Sequence, residues 1–297
     1  MTTLSRSPTP RRIARRTRGH ASGGPITRLM SPSDLGQILK PFVFLDIFDA
    51  NQATVRAMAD MPLHPHSGVA TVTVLTEGRF RYNDPAAGSG IIGYGGVEWM
   101  RAGSGVWHGK ELSADDVPRI QGFQLWLSLP ADLENGEPVS RYMEADRIPQ
   151  AGPAHVIVGN YENARSPVPA PKDINYLLVT LRPGERWIYQ PPQSHTVGWL
   201  ALAKGVLEAD ASIHAGEMVI FESGETPIAL EASGKEDAVF VLGSAVPHPY
   251  PLQLGYYSVH TSAPALEAGE RRIAELGRKL QEAGNRRTAS GTIPVFR

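Results

Sequence analysis

His64-Pro65-His66, followed at a distance by His108, are the residues whose type and spacing could do chemistry in this chain. Histidines at i and i+2 point to the same face of an extended segment. The stretch behind them, Val69-Ala-Thr-Val-Thr-Val-Leu75, is rich in β-branched residues and predicts a strand. Neutral imidazole is the commonest protein ligand for zinc, iron, nickel or copper. A same-face pair joined by a third histidine from a neighbouring strand would offer three nitrogens to one ion. The alternative is a surface turn that happens to read His-Pro-His, in a chain with nine histidines. Cysteine is absent, so any ion must rest on histidine, carboxylate or water.

The elements that would position these residues read as short strands joined by turns. Candidates are 42–48, 69–75, 79–82, 97–101 and 123–129, then 155–158, 176–182, 197–203, 218–221, 228–231 and 238–242. The chain holds 30 Gly and 25 Pro in 297 residues. That exceeds the usual ~12% for the two together and suits many tight turns. Thr73-Val-Leu-Thr-Glu-Gly78 is echoed by Leu200-Ala-Leu-Ala-Lys-Gly205, and Gly96-Val-Glu-Trp-Met by the run from Gly216 to Phe221. Two copies of one β-barrel explain this repeat better than a single long sheet. Superposing the copies sets Pro191 and Gln193 opposite His64 and His66, with the partner of His108 near Ile228. The second copy therefore lacks the three-histidine set, and His195 and His214 read as surface histidines. Leu266, Ile273, Leu276 and Leu280 recur at helical spacing, with Ser262 as N-cap, Pro264 in the first turn, a Glu275–Lys279 pair and Gly284 as the stop.

Residues 1–22 hold six arginines and no acid. Such a tail is either a phosphate-binding arm or a disordered, solvated terminus. A formal net charge of −1 supplies no wider basic field, so direct nucleic-acid binding is not expected. No apolar run reaches the ~20 residues that span a membrane. The absence of cysteine suits the cytoplasm, the expected compartment.

Five stretches together carry a family resemblance. They are the run from His64 to Gly78, the run from Gly95 to His108, Gly122-Phe-Gln-Leu-Trp-Leu127, Pro41-Phe-Val-Phe-Leu-Asp-Ile-Phe48, and the run from His248 to Val259. The chain resembles the pirin family of the cupin superfamily over roughly residues 23–285. The resemblance implies an all-β fold of two tandem cupin-type barrels with a short C-terminal helix. The expected division is a basic tail (1–22), an N-terminal barrel with the metal site (23–164), a C-terminal barrel without one (165–262), and a helix and tail (263–297). It also implies a ligand set of His64, His66, His108 and a glutamate two residues beyond the third histidine.

That last position is Lys110 here, and Glu111 follows it. A protonated lysine repels a cation. Either a bulge at Gly109 carries Glu111 into the ligand position, or water completes a three-histidine site, or the metal has been lost. Ala70 stands where the family tends to carry an acid, a second departure. Glu111 and Lys110 are the candidate proton-transfer residues. Trp99, Trp107 and Trp126 read as fillers of a core or cavity wall, and Glu98 as a supporting acid or an exposed strand position. Histidines plus a carboxylate suit Fe(II), with another divalent ion as the alternative. The resemblance implies two functions: a dioxygenase opening flavonols of the quercetin type, or a metal- and redox-responsive interaction protein acting as a transcription cofactor. A scaffold without metal is the third. The expected partners are accordingly a small aromatic substrate or another protein, with no membrane.

Overall fold

The computed structural model describes residues 9–21, 23–51, 53–55, 63–84, 87–109, 112–114 and 117–283. The chain is all-β apart from short helical turns and one long helix, Ala263–Glu282. It divides into two units. The larger comprises Gly19–Pro149, Ser166–Pro171 and the chain from His248; the smaller comprises the chain up to Arg18, Gln150–Arg165 and Lys172–Pro247.

Each unit is built on a seven-stranded antiparallel sheet. In the larger the order is Val139–Met143, Val97–Arg101, Val69–Glu77, Arg119–Ser128, Phe42–Asn51, Ile26–Met30 and His20–Ala21. In the smaller it is Ile13–Thr17, Met218–Phe221, Val197–Lys204, Ala238–Ala245, Ile174–Leu181, Ala154–Val158 and Gln150–Ala151. The repeat predicted from sequence falls on corresponding positions. Val69–Glu77 and Val197–Lys204 are both third in order, and each is followed by a left-handed glycine, Gly78 or Gly205, with φ 82°. The partners Val97–Arg101 and Met218–Phe221 are both second.

Both sheets are covered, so their strands are continuous apolar runs rather than alternating ones. In the smaller unit Leu177, Leu200 and Phe240 of the large sheet share one core with Trp187, Leu207 and Ile228 of a four-stranded sheet. In the larger unit Phe48, Leu75 and Ile120 pack with Phe80 of a three-stranded sheet. A second cluster there holds Phe44, Val69, Met100, Val106 and Trp126. The helix Ala263–Glu282 belongs to the larger unit; Ile273, Leu276 and Leu280 are its buried face. Its N-cap Ser262 accepts from the Ala265 amide, and Lys279 reaches Glu275 at 2.7 Å. The expected stop, Gly284, lies outside the described residues.

The units differ from the division expected from sequence: the chain up to Arg18 and residues 150–164 fall with the smaller unit, and residues 166–171 and the chain from His248 with the larger. Ile13–Thr17, placed in a disordered tail by composition, is a strand paired to Met218–Phe221. It takes the edge position that Val139–Met143 occupies in the other sheet, where it covers main-chain groups that would otherwise stay unpaired. Its charges are partnered within the unit: Arg12 with Asp210, and Arg16 and Arg18 with the buried Glu217. Arg11 is only 4% exposed. Its guanidinium donates to the carbonyls of Thr226 (2.8 Å) and His195 (3.0 Å). His195, read as a surface residue from sequence, is likewise buried, with Nδ1 2.9 Å from Ser244 Oγ; His214 is exposed.

Replacing Arg11 by Met leaves the buried His195 carbonyl without this donor and is expected to remove about 1–3 kcal/mol of stability. Arg15→Ala, at an exposed position of the same strand, should change it by no more than about 0.5 kcal/mol. Denaturant titration of both variants checks this; equal effects would mean that Arg11 is not anchored as described.

Candidate metal centre

The larger unit brings His64, His66 and His108 together. His64–His66 and Val106–His108 form a two-stranded antiparallel pair in which His108 lies opposite His64 and Val106 opposite His66. Directly opposed residues project to one face, as do residues at i and i+2. The three imidazoles therefore converge by register alone. Ring centroids are 4.9 Å (His64–His66), 4.6 Å (His64–His108) and 5.0 Å (His66–His108) apart. One nitrogen from each ring lies within 4.8 Å of the other two. Ligation at ~2.0–2.2 Å allows no more than about 4.4 Å between nitrogens, so small ring rotations suffice for an ion.

The electrostatics suit a cation binder. His66 is fully buried, and neither of its ring nitrogens has a hydrogen-bond partner. A buried imidazole in that state is costly unless its lone pair is used. Burial, then the neighbouring His64, hold His66 well below the ordinary histidine value. The Tyr257 backbone works weakly the other way, through an approach that falls short of hydrogen-bond geometry. Burial, then His64 and His66, depress His108 similarly. Both rings are neutral at pH 7, the form that ligates. The donor set thus fits a divalent transition ion. Among the described residues no carboxylate joins the group.

Lys110 and Glu111 lie outside the described residues. The strand that carries His108 ends there, and Gly109 follows with φ 137°, a conformation open to glycine. Regular strand alternation, the basis for assigning residue 110 to the histidine face, stops at His108. Glu98 is buried at 6% exposure, which removes the exposed-strand reading. Trp99 is buried in the sheet, and the Trp107 ring donates to the Ile273 carbonyl of the helix at 2.7 Å.

Trp126, read from sequence as a filler of a core or cavity wall, lies at the centre with two residues not assigned from sequence, Phe44 and Tyr257. Trp126 and Phe44 are a cross-strand pair, stacked at 4.0 Å with 8° between planes. The edge of His66 meets Trp126 at 4.7 Å, and the Arg28 guanidinium covers the far face of Phe44 at 3.9 Å. Arg28 is itself held by Asp46, its cross-strand partner. Tyr257 contacts His64 (5.8 Å) and His66 (6.0 Å). Both Trp126 and Tyr257 also line a cleft of about 350 Å³ with Arg28, Phe44, Leu254 and Tyr256. The strand of Trp126 is buried along nearly its whole length, so its sequence could place the ring in a core or cavity wall but could not name the histidine it faces. Tyr257 sits in a Tyr-Tyr-Ser loop with no periodicity to read.

Comparison with known proteins points one way. The sequence model of the pirin family, described as "Pirin", matches residues 25–127. Pirin-1 of Arabidopsis thaliana is 30% identical over 241 residues, 76% of this chain and 79% of that protein. A pirin-like protein of Caulobacter vibrioides is 42% identical over 128 residues, 43% of this chain and 45% of that protein's length. Among solved structures, a quercetin 2,3-dioxygenase from Acinetobacter baumannii matches with a TM-score of 0.71 at 22% identity, covering 93% of this chain and 98% of the other. The bacterial pirin YhhW of Escherichia coli, in complex with nickel(II), matches with a TM-score of 0.53 at 18% identity, covering 77% and 96%. These structural likenesses bear on the fold, that of two cupin barrels.

A pH dependence follows from the buried rings. His66 and His108, and also His155, His195, His248 and His260, all sit below 6.5 chiefly through burial. Each binds a proton more readily unfolded than folded, so the unfolded state gains protons first as pH falls. The stability of the metal-free protein should hold from about pH 8 to 7. It should then fall from about pH 6.5 toward the depressed values, by at most about 1.4 kcal/mol per pH unit for each such histidine. Urea midpoints across that range check this; a midpoint unchanged down to about pH 5.5 would contradict it.

Proposed function

This chain belongs to the pirin family, and we propose that it is a metal-dependent dioxygenase of small planar aromatics of the flavonol type. One observation carries the reading: the fully buried His66, both nitrogens without a hydrogen-bond partner, converges with His64 and His108 beside an aromatic-walled cleft. His64, His66 and His108 would hold the ion, with Glu111 as the candidate fourth ligand. Fe(II) is the metal the chemistry favours, and nickel(II), as in the Escherichia coli relative, is the alternative. When bound, the ion supplies Lewis acidity and open positions for dioxygen and substrate.

The chain's own residues supply the rest. The stacked pair Phe44 and Trp126 gives the cleft a fixed apolar wall beside the histidines. The buried surroundings of His66 and His108 keep water from the reacting atoms. Oxygenation of a flavonol needs its 3-hydroxyl deprotonated, and Glu111 or Lys110, just beyond the strand end at His108, is the candidate base. A neutral Lys110 would take the proton, whereas a charged one would hold the resulting oxyanion.

A second reading, a metal-responsive interaction protein, draws on exposed apolar side chains: Tyr250, Leu254, Tyr256 and Tyr257 are 40%, 41%, 62% and 43% exposed. Oxygen uptake separates the two. The iron-loaded protein is expected to consume dioxygen with quercetin, His64→Ala to fall to the protein-free rate, and Glu111→Gln to slow turnover about a hundredfold or more. Lys110→Ala tells which of the two residues handles the proton. Uptake no greater in wild type than in His64→Ala would remove the dioxygenase reading in favour of the interaction protein.

A further inference from the structure

Behind the centre lies a buried polar chain that metal binding does not use. His260, 1% exposed, sets Nδ1 3.0 Å from Glu134 Oε2 and Nε2 3.0 Å from Ser67 Oγ. Glu134, 2% exposed, also accepts from the Thr261 amide (2.7 Å) and hydroxyl (2.6 Å). Ser67 Oγ continues to Ser258 Oγ at 2.8 Å, and Ser258 Oγ donates to the Tyr256 carbonyl at 3.0 Å. The order Ser–His–Glu resembles a hydrolase triad. Yet Ser67 is fully buried and its Oγ already contacts two partners, so no substrate carbonyl can reach it.

What the chain does reach is the loop over the histidines. Ser67 follows His66 directly, and its carbonyl accepts from the Val259 amide at 3.2 Å. The hairpin Gln253–Leu254 with Val259–His260 carries Tyr256 and Tyr257 at its tip. Glu270 of the C-terminal helix accepts from the Tyr256 amide at 2.6 Å. The helix comes this close because Gly269 lacks a side chain. A Cβ there would fall 2.5 Å from His260 Nε2 and 2.6 Å from Ser67 Oγ. At the tip, Tyr257 has φ 54°, a left-handed conformation costly for a bulky residue and kept only where surroundings impose it. The imposed position sets its ring against His64 and His66 on one side and the 350 Å³ cleft on the other.

We propose that Tyr257 is a specificity-determining residue that gates passage of a planar aromatic from the cleft to the three-histidine centre, and that Glu134, His260, Ser67 and Ser258 are positioning residues that hold it there. The ligand class rests on the dioxygenase reading; the positioning does not. The ring of Tyr257, rather than its hydroxyl, forms the wall. Ser67 and Ser258 act only through the loop.

The test uses nickel-loaded protein under argon, quercetin as the probe read by its absorbance shift, and amide hydrogen exchange across residues 255–259. Tyr257→Phe should keep quercetin affinity within about threefold, and Tyr257→Ala should change it by about tenfold or more. Ser67→Ala and Ser258→Ala should each speed loop exchange by about tenfold, with nickel content unchanged. Each should also shift quercetin affinity in the same direction as Tyr257→Ala. Loop exchange as slow as wild type in both serine variants, with both folded by thermal unfolding, would overturn the positioning role. An unchanged affinity in Tyr257→Ala would overturn the gate. Wild type failing to bind quercetin at all would remove the aromatic ligand class and with it the gate, while the exchange data would still decide the relay.

Discussion

Everything at the centre depends on the register of one short strand pair. His108 faces His64, and a slip of one residue would turn its ring to the opposite face. Three residues a side cannot hold that register alone. It is imposed from the flanks: the Gly68 amide donates to Gly103, the Ala102 amide to Val69, and the Trp107 ring to Ile273 of the helix. The rigid sheet behind then buries what the register aligns. An imidazole buried without partners costs on the order of 1–3 kcal/mol, a cost an ion would offset.

The two units spend the same strand order differently. In the larger, the strand preceding Val69–Glu77 carries two of the histidines, and its partner strand carries the third. In the smaller, the segment preceding Val197–Lys204 carries no such set, and the Arg11 guanidinium docks on the carbonyls of His195 and Thr226. Ser244 joins His195 to the Tyr189 hydroxyl (2.7 Å), which meets Asn175 at 3.1 Å. There a side-chain cation and a hydrogen-bond network occupy the segment that in the larger unit carries the histidines.

What the sequence revealed was local or periodic. The i, i+2 histidines, the β-branched runs and the repeated strand–Gly–strand pattern need only neighbours in the chain, and the strands lie where those patterns fall. The helix was legible from Ser262 and its apolar spacing. The arginine tail was not, because Glu217 and Asp210 lie about two hundred residues away. The burial of Glu98 was hidden for a related reason: all but the last residue of Val97–Arg101 is buried, so alternation did not mark the solvent side. Tyr257 was unreadable because its role depends on a left-handed backbone imposed by Glu270 and Ser67, neither of them adjacent in sequence. Lys110 and Glu111 remain a matter of chemistry, not of position.

The most direct test of the three-histidine centre is elemental analysis of protein purified without chelator, comparing wild type, His66→Ala and His214→Ala. A metal centre in the larger unit predicts about one transition-metal ion per chain in wild type and in His214→Ala, and none in His66→Ala. Equal metal content in wild type and His66→Ala would contradict it.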